Sequence, residues 1–60
     1  MDKGTEKVIR AIYDDNKKQQ ADLDWFWVKQ EAEAIMGGQS PSGTIGVCIS
    51  DQLKKAGKIK

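Results

Sequence analysis

At 60 residues the chain can form one domain with one small hydrophobic core, and it is too short for two lobes with a site between them. Apolar residues make up 38% of the chain and charged residues 32%, which excludes intrinsic disorder, and the longest apolar run, residues 25–28, is too short to span a membrane. The net charge of +1 excludes a bulk polycation that coats nucleic acid.

The opening residues lack the basic and apolar regions of a secretory signal, and the single cysteine cannot form an internal disulfide. Both observations predict a cytoplasmic protein that does not contact a membrane.

The residue types that most enzyme sites need are missing. The absence of histidine removes the commonest general base, and one cysteine cannot form a zinc site or a redox pair. The neighbouring carboxylates Asp14 and Asp15, and also Glu31 and Glu33, would point apart on a helix into solvent. We therefore expect no enzyme activity, no cofactor, no metal and no small-molecule substrate.

The first helix is predicted over about residues 5–15, with Thr5 as its N-cap. One apolar stripe supports it, formed by Val8, Ile9, Ile12 and Tyr13. The polar run over residues 14–20 offers nothing to bury, so we expect the helix to fray there into a linker.

The second helix is predicted over residues 25–36, with Asp24 as N-cap and Gly37 and Gly38 as its left-handed end. Phe26 and Trp27 fall off its apolar stripe. Because the chain has few large side chains, we expect both to fill the core; the alternative is an exposed aromatic pair that marks a protein interface. The stripe itself consists of Trp25, Val28, Ala32, Ile35 and Met36.

The third helix is predicted over residues 42–56, after a start signal in which Ser40 is N-cap and Pro41 follows it. Glycines at 43 and 46 weaken a helix, and Ile45, Val47 and Ile49 also alternate as in a strand. If residues 45–49 formed a strand, Leu53 and Ala56 would lie on a short helical fragment after it, so a continuous helix is the better prediction. Its apolar stripe is Ile45, Ile49, Leu53 and Ala56, with Cys48 and Gln52 beside it. This spacing places Cys48 in the core as a small buried hydrophobe.

The sequence LKKAGKI at residues 53–59 resembles the end of the recognition helix in winged-helix DNA-binding domains. In that superfamily a core leucine is followed by charged residues, a glycine four positions on, and an aliphatic residue that opens the first wing strand. The resemblance implies a helix-turn-helix core with DNA as ligand, and it allows a short extended segment at residues 23–25. The predicted fold is one small, mainly α domain over residues 1–60, a three-helix bundle whose wing is missing or rudimentary.

The charges are unevenly distributed along the sequence. Residues 1–39 carry six basic and eight acidic side chains, a net charge of −2, whereas residues 40–60 carry four lysines and one aspartate, a net charge of +3. Positive charge therefore collects where phosphate contacts from the third helix would lie. Lysines also favour the last turn of any helix, which is a purely structural explanation.

We therefore predict a DNA-binding domain, a small regulator of transcription or of another DNA transaction, with its third helix in the major groove of double-stranded DNA. The residues expected near base edges are Ser42, Gly43, Thr44, Gly46, Val47 and Ser50. Those expected on phosphates are Lys54, Lys55, Lys58 and Lys60. The third helix has no arginine for a bidentate guanine contact, which weakens the case for strong sequence specificity.

The alternative function is a protein-interaction module that binds a partner through residues 25–27. Self-association is a further alternative, because an extended tail at residues 58–60 could pair with a second copy through Ile59.

Overall fold

The computed structural model describes residues 2–60 and contains three α-helices: α1 (Lys3–Lys17), α2 (Trp25–Met36) and α3 (Gly43–Lys55). Each helix packs against both of the others. The prediction of a mainly α three-helix bundle is confirmed. Residues 2–60 contain no strand; of the segment considered as extended at residues 23–25, Asp24 has extended backbone angles, but Trp25 begins α2.

The core lies between the three helices and is built mainly from the predicted stripes, although Ala56 of the third stripe is exposed and Leu23, which precedes α2, joins the core. Its largest fully buried side chains are Ile9 from α1, Val28 from α2, and Ile49 and Leu53 from α3. Ile59 is half-buried and packs against this core, so it does not form the free tail expected for pairing with a second copy.

The first helix is longer than predicted at both ends. It begins at Lys3 because the Asp2 carboxylate caps it, accepting a hydrogen bond from the Thr5 N–H at 3.4 Å; the prediction of Thr5 as N-cap is wrong. Hydrogen bonding from Thr5 holds the pKa of Asp2 below its ordinary value. At the other end the helix continues to Lys17, because the buried Asn16 donates to the Ile12 carbonyl at 2.8 Å and to Gln52 Oε1 at 2.7 Å.

The second helix has the predicted bounds. Asp24 accepts a hydrogen bond from the Trp27 N–H at 2.9 Å and so caps the first turn. Gly38, with φ of 103°, ends the helix in the left-handed conformation, and the Gln39 N–H donates to the Ala34 carbonyl at 3.0 Å. This arrangement is a Schellman motif.

The third helix begins at Gly43, one residue after the predicted start at residue 42, but the prediction of Ser40 as its N-cap is wrong. Gly43 has φ of 70°, a left-handed conformation that a helix running through from Pro41 cannot contain. Ser42 occupies the N-cap in an extended conformation without a capping side-chain hydrogen bond. At the far end Gly57 has φ of 77° and the Lys58 N–H donates to the Leu53 carbonyl at 2.9 Å, a second Schellman motif.

Candidate nucleic-acid interface

The outer face of α3 is uncovered from its first turn to its last. It lies opposite the stripe of Ile45, Ile49 and Leu53, which faces the other two helices. We call the exposed residues of this helix the outer face of α3: Gly43, Thr44, Val47, Cys48, Asp51, Lys54 and Lys55. Five of the ten predicted DNA-binding residues belong to it, and the exposed Ser42 directly precedes it.

Two predicted base-facing residues, Gly46 and Ser50, are not on this face. Both are buried, and Gly46 approaches α2 so closely that a Cβ atom there would lie 2.7 Å from Oε2 of Glu31. The signal was present in the sequence. At about 100° per residue, Gly46 lies only about 60° from Ile49, the centre of the buried stripe.

The outer face of α3 includes two residues that were not among the predicted DNA-binding residues. Cys48 lies about 100° from Ile49 on the helix and is exposed, so its assignment to the core is wrong. Asp51 lies near the middle of the face, between Val47 and Lys55, and brings a negative charge to it. A shallow groove of ≈ 230 Å³ beside both residues is lined also by Asp15, Asn16, Gln19, Gln52 and Lys55.

The start of α3 already holds a carboxylate. Glu31, expected to point into solvent, is half-buried and accepts a hydrogen bond from the Ser42 N–H at 2.8 Å. A negative group at this position satisfies the positive end of the helix dipole. Phosphate binding at the start of α3 would therefore require displacement of Glu31.

Positive charge is concentrated at the opposite end of α3. Lys54 and Lys55 occupy the last turn and are exposed, and Lys60 is exposed beyond it. Lys58 is half-buried, and its charge contributes, after hydrogen bonding from Thr5, to lowering the pKa of Asp2. The positive charges on the outer face of α3 are therefore those of Lys54 and Lys55.

A second exposed surface lies at the first turn of α2. Phe26 is 56% exposed and Trp27 is 41% exposed, so the prediction that they fill the core is wrong. Trp25 occupies the half-buried position instead, where it packs edge-on against Tyr13 with ring centroids 5.5 Å apart. The guanidinium of Arg10 lies 4.8 Å from the Trp25 ring centroid.

Two grooves of opposite charge adjoin this turn. The basic groove, of ≈ 410 Å³, is lined by Lys3, Glu6, Lys7, Arg10 and Trp25. The acidic groove, of ≈ 430 Å³, is lined by Gln20, Asp22, Leu23, Asp24, Trp27 and Ile45. Each groove therefore has one tryptophan in its wall.

Within residues 2–60, no three histidine, cysteine or acidic side chains are grouped so that they could hold a metal ion. No helix of that part of the chain is long and apolar enough to cross a bilayer. No protein-family model matches the chain, and no curated protein or solved structure is significantly similar to it.

Proposed function

We propose that this chain is a helix-turn-helix domain of the winged-helix type that binds double-stranded DNA through the outer face of α3. The observation that carries the proposal is the exposure of Lys54 and Lys55 at one end of a helix face that no other part of residues 2–60 covers. In helix-turn-helix proteins the second helix of the pair enters the major groove and the first one supports it. Here α2 would be the supporting helix.

The shape of the face suits a close approach to DNA. Gly43 and Thr44 are small, so the first turn can enter the groove, while Lys54 and Lys55 remain near the phosphates at its edge. Binding would depend strongly on salt, because each lysine that neutralises a phosphate releases counterions.

Base recognition would come from three side chains. Thr44 and Val47 offer methyl groups for contact with the thymine methyl group, and the Asp51 carboxylate can accept a hydrogen bond from the cytosine amino group. Asp51 also repels phosphate, so it favours a pose in which it points into the groove. We therefore propose weak sequence preference and affinity that derives mainly from phosphate contacts.

The test is reversal of charge at the end of α3. Lys54→Glu combined with Lys55→Glu should weaken binding to a short random duplex at least tenfold and reduce the slope of log affinity against log salt by about 2, since each phosphate contact contributes about 0.9. Fluorescence anisotropy at several salt concentrations measures both quantities. A backbone amide shift titration of the unaltered chain should place the largest changes in residues 43–55.

The matched control is Lys17→Glu with Lys18→Glu. This pair is also adjacent, also exposed and also at the end of a helix, so it changes the net charge equally on a different surface. Because Lys17 donates a hydrogen bond to the Tyr13 hydroxyl at 2.8 Å, circular dichroism must first show that the control variant is folded. The control should retain most of the affinity. Equal losses in both double variants, or full affinity after reversal of Lys54 and Lys55, would contradict binding by α3.

A further inference from the structure

The first turn of α2 leaves two large aromatic side chains exposed to water, although a small domain would gain stability by burying them. Among residues 2–60, nine apolar side chains are buried in the core, yet Phe26 and Trp27 lie outside it. Domains of this size often add stability by oligomerisation. Adjacent exposed aromatic residues are also typical of the centre of a protein interface.

The charges around this turn are divided between its two sides. Residues two apart on a helix point about 160° apart, so Trp25 and Trp27 face opposite sides and Phe26 points outward between them. The basic groove beside Trp25 has three cations and one carboxylate, a net charge of +2, and the acidic groove beside Trp27 has two aspartates, a net charge of −2. Across the turn the order is therefore basic, aromatic, acidic.

This order is complementary to itself under a two-fold rotation. In a two-fold interface the same patch is used by both subunits, and each residue i that contacts j is matched by j contacting i. A rotation about an axis between Phe26 and the acidic groove brings the partner's Phe26 onto that groove and turns the basic side of each copy toward the acidic side of the other. The net charge of +1 does not oppose such association.

We propose that the occupant of this surface is a second copy of this chain, and that the two copies form a two-fold dimer through the first turn of α2. The partner's Phe26 enters the acidic groove, where Leu23, Trp27 and Ile45 supply apolar contacts. Asp22, on the wall of that groove, faces Lys3 and Lys7 of the partner subunit. The dimer does not depend on DNA, because the outer face of α3 is not part of it.

The first experiment measures self-association without DNA. Sedimentation velocity over a concentration series should show a monomer that becomes a dimer, and Phe26→Ser should raise the dissociation constant at least tenfold. The matched control is Val47→Ser, because Val47 is 50% exposed but lies on α3; this variant should dimerise like the original chain. A chain that stays monomeric up to about millimolar concentration, or dimers that Phe26→Ser leaves unchanged, would overturn the proposal.

The second experiment exchanges charges. Lys3→Glu with Lys7→Glu makes both sides of the turn acidic, and Gln20→Lys with Asp22→Lys makes both basic, so each double variant alone should dimerise at least tenfold more weakly. All four positions are exposed and none of these side chains caps a helix. A mixture of the two variants should form heterodimers. Failure of the mixture to associate while the unaltered chain dimerises would exclude this arrangement of the two copies.

Discussion

Gly46 determines how closely α3 approaches α2. A Cβ atom at this position would lie 2.7 Å from Oε2 of Glu31 and 3.3 Å from the carbonyl carbon of Pro41, and Glu31 is fixed by its hydrogen bond to the Ser42 N–H. The glycine therefore permits contact between helices within the protein. Its position lies on the buried side of α3 and not on the outer face of α3.

Gly46→Val should lower the free energy of unfolding by about 1–3 kcal/mol, because the added side chain must displace both Glu31 and the backbone at Pro41. Cys48→Val is the control, since it places the same side chain on the same helix in solvent, and it should change the free energy by no more than about 0.5 kcal/mol. Urea unfolding followed by circular dichroism measures both. A Gly46→Val protein of unchanged stability with impaired DNA binding would restore Gly46 to the recognition surface.

Single residues divide into those that the sequence can place and those that it cannot. Ile49 and Leu53 are large and periodic, so they were correctly assigned to the core. Asn16 was assigned to a linker, yet it is buried because Gln52 accepts a hydrogen bond from it. Since this partner is 36 positions away, local pattern cannot reveal the contact.

Whole helices were predicted better than their ends. Apolar spacing located all three, whereas the starts depend on single hydrogen bonds and backbone angles, such as the Asp2 cap on α1 and the positive φ of Gly43 in α3. The amino-acid composition also could not predict that Phe26 and Trp27 are exposed. Because the chain has few large side chains, we expected both to be buried. In the structure α2 is oriented so that its stripe of Val28, Ala32 and Ile35 faces the core, which leaves Phe26 and Trp27 outside it.

The cap of α2 can be tested separately. Asp24→Ala should lower the free energy of unfolding by about 1 kcal/mol, because the Trp27 N–H loses its acceptor, whereas Asp24→Asn should retain most of the stability since asparagine caps about equally well. Thermal unfolding at a concentration where the chain is monomeric makes the comparison independent of self-association. Equal effects of alanine and asparagine would mean that the charge of Asp24, not its cap, stabilises the turn.

At the scale of the molecule, the core is shared by all three helices, and no two of them enclose it alone. Ile9, Val28 and Leu53 come from different helices, and each is completely buried. Losing one of these contacts therefore weakens the packing of every helix. A domain of this size rarely has more than about 3–5 kcal/mol of stability from its core.

Leu53→Ala should therefore unfold much of the protein at 25 °C, because truncating a fully buried leucine costs about 2–5 kcal/mol, a range that approaches or exceeds the whole stability. Val47→Ala is the control on the same helix; Val47 is exposed, and alanine favours a helix, so this variant should stay folded. Helical circular dichroism at 222 nm, recorded at low protein concentration, distinguishes them. A Leu53→Ala protein as helical and as resistant to urea as the original chain would mean that Leu53 does not join the three helices, and the orientation of α3 would then be wrong together with its outer face. Loss of helix confined to Leu53→Ala would fix that orientation independently of any ligand, because the exposed side of α3, which we propose for DNA, is the side opposite Leu53.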